Sequence, residues 1–327
     1  MLRVAVAGAG MVSAHHLRAW RSLPDARVVA IADPELARAQ RRAQEFGIDA
    51  AYSDAGAMLD AERPDALDIA AGHAAHRPLC LAAAERGIAI LCQKPLAPSL
   101  AEARDIADSA GSRVRLMVHE NWRFRPWYRQ AQAWAGHGAI GALQRLQLDV
   151  RSSGLLLRHG RRPALERQPM LATVPRLMIG ELLVHHLDVA CCLVGPLVVV
   201  GASTRREVED VCGETAACIE LIGNDMQVSL SGDLARPGAP LTVTDGMRLT
   251  GAEGEIVLDD GTLTLSGRDA RQREFDLDAG YQASYDAAIG HFVHALLGDR
   301  PFSTPPEAHL RVLALAEEAY RLASGGS

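Results

Sequence analysis

Lys94 is the only lysine in the chain; the other 33 of the 34 basic Lys and Arg side chains are arginine. A composition that uses arginine for plain surface charge marks Lys94 as a place where arginine will not do. A guanidinium is a permanently charged planar fork, whereas an amine is a compact point donor whose pKa falls readily on desolvation. Such a group can polarise an oxygen on a reacting carbon. The alternative is a lysine surviving by chance on a loop. A second set of reactive types lies in Gly180-Glu181-Leu182-Leu183-Val184-His185-His186-Leu187-Asp188. On an α-helix, Glu181, His185 and Asp188 would fall at i, i+4 and i+7, within one stripe at ~100° per residue, with His186 a quarter-turn away. A histidine held by a carboxylate suits removal of a hydroxyl proton, because its unperturbed pKa lies near neutrality. The alternatives are a histidine packed at a domain interface beside solvated acids, or a metal site. The Glu/His/Asp spacing matches no specific metal signature, so no metal is assigned.

These groups need elements to position them. The apolar run Ile88–Cys92 reads as a buried strand stopped by Pro95, which leaves Lys94 at its carboxyl end. Open α/β sheets bind ligands at that end. Near the N-terminus, a short strand from Arg3 to Ala7 runs into Gly8-Ala9-Gly10-Met11-Val12-Ser13, a dinucleotide fingerprint with serine at its third position. Gly8 allows the tight turn, Gly10 lets the backbone approach a pyrophosphate, and the third position needs only a small residue. A helix from Ala14 to Ser22 would turn its N-terminal amides to the phosphates. The next strand, Val28–Ala32, ends at Asp33, 20 residues beyond Ser13. A carboxylate there can accept both ribose hydroxyls and repel a 2′-phosphate, which predicts NAD rather than NADP. Asp33 also suits the N-cap of a helix from Glu35 to Phe46. The cofactor contacts expected at this end are Gly8, Gly10, Met11, Val12 and Asp33.

The α/β alternation continues with a strand Ala66–Ala71, a loop Gly72–His76 and a helix Leu79–Arg86. A helix Leu100–Ala110, capped by Ser99, and a strand Val114–Val118 follow. The segment His119–Arg129 mixes aromatics with arginines and reads as the lining of a polar-substrate cleft, with interdomain packing the alternative. Beyond about residue 142 the texture changes. Leu143–Arg151 alternates like a long strand, Ser152–Thr173 reads as a loop or lid, and a helix spans about Arg176–Leu193. Short alternating strands then come at Val198–Arg205, Glu214–Ile222, Met226–Ser231, Arg248–Thr250, Glu255–Leu258, Thr262–Leu265 and Arg273–Phe275, separated by turn signals as in an antiparallel sheet. Helices Tyr281–Leu297 and Pro306–Leu322 close the chain. The expected fold class is α/β: an N-terminal Rossmann domain, 1–120, and a C-terminal α+β domain, 121–327, with a largely antiparallel open-faced sheet.

Composition narrows the partners. With 327 residues, 48% of them apolar and 23% charged, the chain has the balance of a soluble globular protein. A net charge of −6 gives no reason to expect nucleic acid or an anionic membrane. No run approaches the ~18 apolar residues of a spanning helix. The apolar start, Leu2–Val12, reads as a first strand, not a signal sequence. The six cysteines include no C-x-x-C pair, a reduced, cytoplasmic pattern.

Gly8-x-Gly10-x-x-Ser13-x-x-His16, Asp33, Gln93-Lys94-Pro95 and Glu181-x-x-x-His185-x-x-Asp188, in this order and spacing, resemble the glucose–fructose oxidoreductase / inositol dehydrogenase / MocA family across nearly the whole chain. Glu120-Asn121-Trp122-Arg123 to Tyr128-Arg129, with the double histidine, resembles a subgroup that includes D-apiose dehydrogenases. The resemblance implies an NAD(P)-dependent oxidoreductase acting on a hydroxyl or carbonyl of a sugar or polyol. It implies that Lys94 contacts the reacting hydroxyl, that His185 is the acid/base, and that Glu181 stands where an aspartate is usual. Gln93 replaces the usual glutamate. The expected cofactor contacts extend to Gly72, His73, His76, Gln93, Lys94 and Asn121. Substrate contacts are expected from Lys94, Asn121, Trp122, Arg123, Trp127, His185 and Asp188. The family's C-terminal sheet commonly mediates oligomerisation, which implies a homodimer or homotetramer. Two other readings stay open at this point. One is cleavage of a glycoside by transient oxidation with NAD; the other is a non-catalytic dinucleotide-binding regulator, against which the retention of Lys94 and His185 speaks.

Overall fold

The computed structural model describes residues 1–325. The chain divides into two compact units, one of Met1–Arg125 with Tyr281–Arg311, the other of Pro126–Gly280 with the residues from Val312 onward. In the first unit, strands β1 (Leu2–Ala7), β2 (Ala26–Ala32), β3 (Ala50–Tyr52), β4 (Ala66–Ile69), β5 (Ala89–Gln93) and β6 (Leu116–His119) alternate with helices α1 (Ser13–Arg21), α2 (Leu36–Phe46), α3 (Ala55–Glu62), α4 (His73–Glu85) and α5 (Leu100–Ile106). All six strands are parallel, in the order β3-β2-β1-β4-β5-β6. β4 and β5 are buried along their whole length, as strands covered on both faces must be. On one side Leu2, Val4, Trp20, Leu91 and Met117 pack with Tyr285, Ile289 and Phe292 of the later helix Leu277–Leu297. Val6, Leu17, Ile31, Ala39 and Ala43 form a second cluster.

The strand order reverses between β1 and β4, so a ligand crevice opens at their carboxyl ends. Gly8 sits there at φ +107°, and a Cβ on it would lie 2.4 Å from the Ala70 carbonyl oxygen. Only glycine fits. The loop expected at Gly72–His76 is corrected: α4 begins at His73, with Gly72 as its extended N-cap and Pro78 inside. Ala74 and Ala75 favour helix, and Pro78 removes one N–H from the ladder without ending it. β3 and α3 are too short to have shown a period in the sequence.

The second unit contains α6 (Pro126–Gly136), β7 (Leu143–Arg151), α7 (Pro163–Arg167), α8 (Val184–Val194) and strands β8 (Val198–Arg205), β9 (Ala216–Gly223), β10 (Met226–Asp233), β11 (Thr244–Gly251), β12 (Glu255–Asp259), β13 (Thr262–Ser266) and β14 (Arg271–Glu274). The two last helices, α9 (Leu277–Leu297) and α10 (Pro306–Gly325), each run from one unit into the other in sequence. The eight strands form one sheet, β14-β13-β12-β11-β7-β10-β9-β8, antiparallel except for the parallel pair β7 and β10. Alternation on β9 buries Ala217, Ile219 and Leu221 and exposes Cys218, Glu220 and Ile222, the signature of a sheet covered on one face. The segment expected as a loop at Ser152–Thr173 contains α7 and a 3₁₀ turn at Pro169–Ala172.

Candidate active site

The glycine turn and Asp33 are joined directly. Asp33 Oδ2 accepts the Ala9 N–H at 2.9 Å, and Oδ1 accepts the Glu35 N–H at 3.0 Å. The second bond is an Asx turn leading into α2, so Asp33 sits two residues ahead of the first helical turn and Glu35 takes the N-cap position. Each carboxylate oxygen keeps a second lone pair for a ribose hydroxyl. Ser13 Oγ donates to the Gly10 carbonyl at 2.7 Å, which ties the turn to the start of α1. A Cβ on Gly10 would meet nothing within 4 Å, so the backbone is open where a pyrophosphate needs to approach. Met11 is exposed and Val12 half-buried beside it. A cavity of about 410 Å³ is lined by Ala9, Gly10, Met11, Arg38, Arg41, Arg42 and Glu45. The first turns of α2 start beside the glycine turn, which brings Arg38, Arg41 and Arg42 to this cavity. Their charge is committed nearby: Arg38 and Arg41 face Glu35 at 2.7 and 3.8 Å, and Arg42 bonds Glu45 at 2.6 Å and the Gly10 carbonyl at 3.0 Å. An open glycine turn, an anchored carboxylate and a helix start at a switch point fit a dinucleotide.

At the end of β5, Lys94 is half-buried, and its peptide with Pro95 is cis. Gln93 is buried beneath it. Gln93 Oε1 accepts the Lys94 backbone N–H at 2.9 Å, while Nε2 lies 2.9 Å from His16 Nε2 and 3.3 Å from His119 Nδ1. His16 Nδ1 in turn meets Asp68 Oδ2 at 2.8 Å, and Trp20 Nε1 donates to the same oxygen at 2.6 Å. The rings of His16 and His119 both lie against Tyr285, at 5.4 and 5.0 Å between centroids. Burial pushes the Tyr285 hydroxyl well above its ordinary range. His76 is wholly buried, its ring nitrogens on the Ala71, Pro95 and Leu96 carbonyls, so it braces the turn after Lys94. Desolvation lowers its pKa. Gly72 caps α4, and the His73 ring stands 5.7 Å from that of His76.

Asn121, Trp122 and Arg123 follow β6. Asn121 Nδ2 donates to Ser284 Oγ at 2.7 Å, and Arg123 Nη1 donates to the Ser303 carbonyl at 2.7 Å. The Arg125 guanidinium lies 3.5 Å over the Trp122 ring. Glu120 is buried and accepts the Trp122 N–H at 3.0 Å. Burial raises its carboxyl above the usual range, opposed by that hydrogen bond and by the charges of Lys94, His309 and Arg123.

Glu181, His185 and Asp188 belong to the second unit, as does Trp127, whose ring packs on Phe275 at 6.1 Å. The helix expected from Arg176 is not continuous α: Met178–Leu183 is a π-helical turn, followed by α8. Side chains from elsewhere satisfy its first free amides. The Ile179 N–H goes to Glu214 Oε1 at 3.0 Å and the Gly180 N–H to the Tyr320 hydroxyl at 3.1 Å, and that hydroxyl also donates to Glu214. The single stripe at i, i+4 and i+7 is therefore corrected. His185 and Asp188 share a face of α8 and are buried, whereas Glu181, half-buried, stands on the wider turn and falls out of that register. His186 points inward, with Nε2 3.3 Å from the Tyr128 hydroxyl and 3.8 Å from Asp245 Oδ1. Among the described residues, no group of three or more His, Cys, Asp and Glu is arranged to hold a metal.

Residues 2–120 match the model of an oxidoreductase family with an NAD-binding Rossmann fold. D-apiose dehydrogenase of Paraburkholderia graminis is 32% identical, over 98% of this chain and 88% of its own. The chain belongs to the glucose–fructose oxidoreductase / inositol dehydrogenase / MocA family. A second D-apiose dehydrogenase, from Rhizobium rhizogenes, is 30% identical over 99% of this chain and 96% of its own. In structure, an oxidoreductase from Agrobacterium radiobacter in complex with NAD+, L-tartaric acid and magnesium superposes with a TM-score of 0.91 and 28% identity, over 100% of this chain and 97% of that one. This member of the family is thus an oxidoreductase whose first unit is an NAD-binding Rossmann fold. The sequence carries no local mark of the Gln93–His119 contact, of Asp68 and Tyr285 around the two histidines, or of the pair Glu214 and Tyr320. Asp68 itself sits inside an apolar strand, a signal that names no partner; the others lie far off in sequence.

Proposed function

We propose that the chain is an NAD-dependent dehydrogenase that oxidises a CH–OH carbon of a sugar or polyol, or reduces the matching carbonyl. The observation that carries this is the sole lysine, half-buried at the end of β5, in the same parallel sheet whose switch point carries Gly8, Gly10 and Asp33. The two full-length relatives named D-apiose dehydrogenase support a sugar substrate and make aldopentoses the first class to try. Bound NAD supplies the hydride acceptor. Lys94 polarises the reacting oxygen, His185 takes the hydroxyl proton, and Asp188 or Glu181 orients the imidazole. A lysine base would need its pKa, near ~10.4, to fall by several units, whereas histidine needs little shift. Gly8, Gly10, Met11, Val12 and Asp33 hold the nucleotide, with Gly72, His73, Gln93 and Asn121 around its other end and His76 bracing the turn after Lys94. Asn121, Trp122, Arg123 and Trp127 contact the substrate.

In this reading residues 1–120 bind the cofactor, and 121–327 bind substrate and mediate assembly into a homodimer or homotetramer. Val198, Val200 and Ile222, exposed on β8 and β9, support assembly through the sheet. Among the described residues, no helix is long and apolar enough to cross a membrane. All six cysteines are unbridged, which supports a cytoplasmic setting. The test is a screen of sugars, polyols and aldonates with NAD, following NADH absorbance. Steady NADH formation with a free sugar or polyol is expected; turnover of a glycoside with no net NADH would replace this reading with glycoside cleavage.

A further inference from the structure

Hydrogen-bond logic fixes more at Gln93 than the backbone contact it makes. The Lys94 backbone N–H can only donate, so the Gln93 atom 2.9 Å from it is the carbonyl Oε1. The amide nitrogen, which can only donate, then faces His16 Nε2 at 2.9 Å and His119 Nδ1 at 3.3 Å. Both imidazole nitrogens must be bare acceptors. His16 carries its hydrogen on Nδ1 and donates it to Asp68 Oδ2 at 2.8 Å. His119 carries its hydrogen on Nε2. One amide thus sets two tautomers, and the two tautomers hold the amide. Flipping it would turn Oε1 against two lone pairs and set the amide hydrogens against the Lys94 N–H. His16, Asp68 and His119 are wholly buried and Gln93 is 8% exposed, so the amide is held away from bulk solvent.

We propose that Gln93 is a positioning residue, which fixes the backbone of Lys94 through its carbonyl oxygen and is itself locked by two neutral imidazoles. The inference deepens the proposed function and rests on its reading of Lys94 as the group that polarises the reacting oxygen. It also explains what the amide does where the family resemblance implies a carboxylate. A carboxylate at 93 has no hydrogen to give, so each facing nitrogen would have to carry one. His16 would then take up a proton from solvent, or move its own from Nδ1 to Nε2 and give up its bond to Asp68.

Two variants of the full-length protein and one spectroscopic readout separate the parts. With ¹⁵N-histidine labelling, the wild type should show His16 bare at Nε2 and His119 bare at Nδ1. In Gln93→Glu both facing nitrogens should become protonated, while kcat stays within ~10-fold of wild type, because an oxygen still accepts the Lys94 N–H. Gln93→Met keeps the bulk but removes that acceptor. It should lose about 100-fold in kcat, the scale of a ~1 Å misplacement near a reacting atom. The spectra need no substrate and do not depend on the reaction. Unaltered histidine signals in Gln93→Glu, or wild-type kcat in Gln93→Met, would overturn this proposal. Wild-type turnover in Lys94→Arg would instead overturn the reading of Lys94.

Discussion

Gly8 and Gly10 stand two residues apart in one turn, yet alanine should fail at them for opposite reasons. At Gly8, φ is +107° and the new methyl would sit 2.4 Å from the Ala70 carbonyl oxygen, 2.7 Å from its carbon and 2.9 Å from the Ala71 nitrogen. The neighbours are backbone at the end of β4 and cannot swing away. A backbone conformation that L-residues avoid costs about 1–3 kcal/mol, and forcing a methyl into a packed site adds about 1–3 kcal/mol. The sum, about 2–6 kcal/mol, is a large part of the ~5–15 kcal/mol that holds a domain folded. Gly10 has no such neighbour within 4 Å. Gly10→Ala should leave stability unchanged or raise it by up to about 1 kcal/mol. The cost there falls on the cofactor: a methyl in the path of the pyrophosphate, at about 1–3 kcal/mol, weakens NAD binding by roughly 5- to 150-fold. Urea unfolding followed by circular dichroism, and NAD titration by calorimetry, read the two effects separately. Gly10→Ala binding NAD as tightly as wild type would refute the placement of the cofactor over this turn. An unchanged unfolding midpoint in Gly8→Ala would refute the packing argument.

Asp33→Ala should lose the preference for NAD, and wild type should bind NAD more tightly than NADP by calorimetric titration; tighter NADP binding by wild type would show that Arg38 and Arg41 outweigh the carboxylate. Lys94→Arg should keep the fold and NAD affinity but lose about 100-fold in turnover, since a permanently charged fork cannot occupy the place of a point donor; steady-state rates and NAD titration together check it. His185→Asn should lose at least ~100-fold in the chemical step, together with the near-neutral limb of the rate–pH profile. If the limb survives there and vanishes in His186→Asn, the wrong histidine has been chosen. Burial holds the Glu120 carboxyl above its ordinary range, so its contribution to stability is fully present below the unfolded value near ~4.3 and is lost as pH rises through the folded value. Glu120→Gln stays neutral, so its stability relative to wild type should grow from about pH 4 to pH 7 in urea unfolding; parallel curves would contradict this.

The parts of the site that sequence made legible are those whose geometry is carried by nearby chain. Gly8, Gly10, Ser13 and Asp33 lie in one strand–turn–helix–strand unit, where fixed offsets become fixed positions. Lys94 follows an apolar run and precedes a proline, so the strand end that carries it could be read directly. The partners of Gln93 arrive from α1 and β6, and the groups around those histidines from β4 and α9, only when the sheet assembles. The pairing of Gln93 with His16 spans 77 positions, and that of Asn121 with Ser284 spans 163. No periodicity reports such contacts. The partners that satisfy the first amides of the π-helical turn, Glu214 and Tyr320, were illegible for the same reason.

The central claim is that hydride passes from a sugar or polyol carbon to NAD on this protein. The most direct measurement is the mass of NADH recovered after the wild-type protein oxidises, in ordinary water, a sugar or polyol from the screen deuterated at all its C–H positions. The account predicts NADH heavier by one mass unit, carrying the deuterium transferred from the oxidised carbon. Unlabelled NADH, or product formed from such a substrate with no NADH, would contradict it.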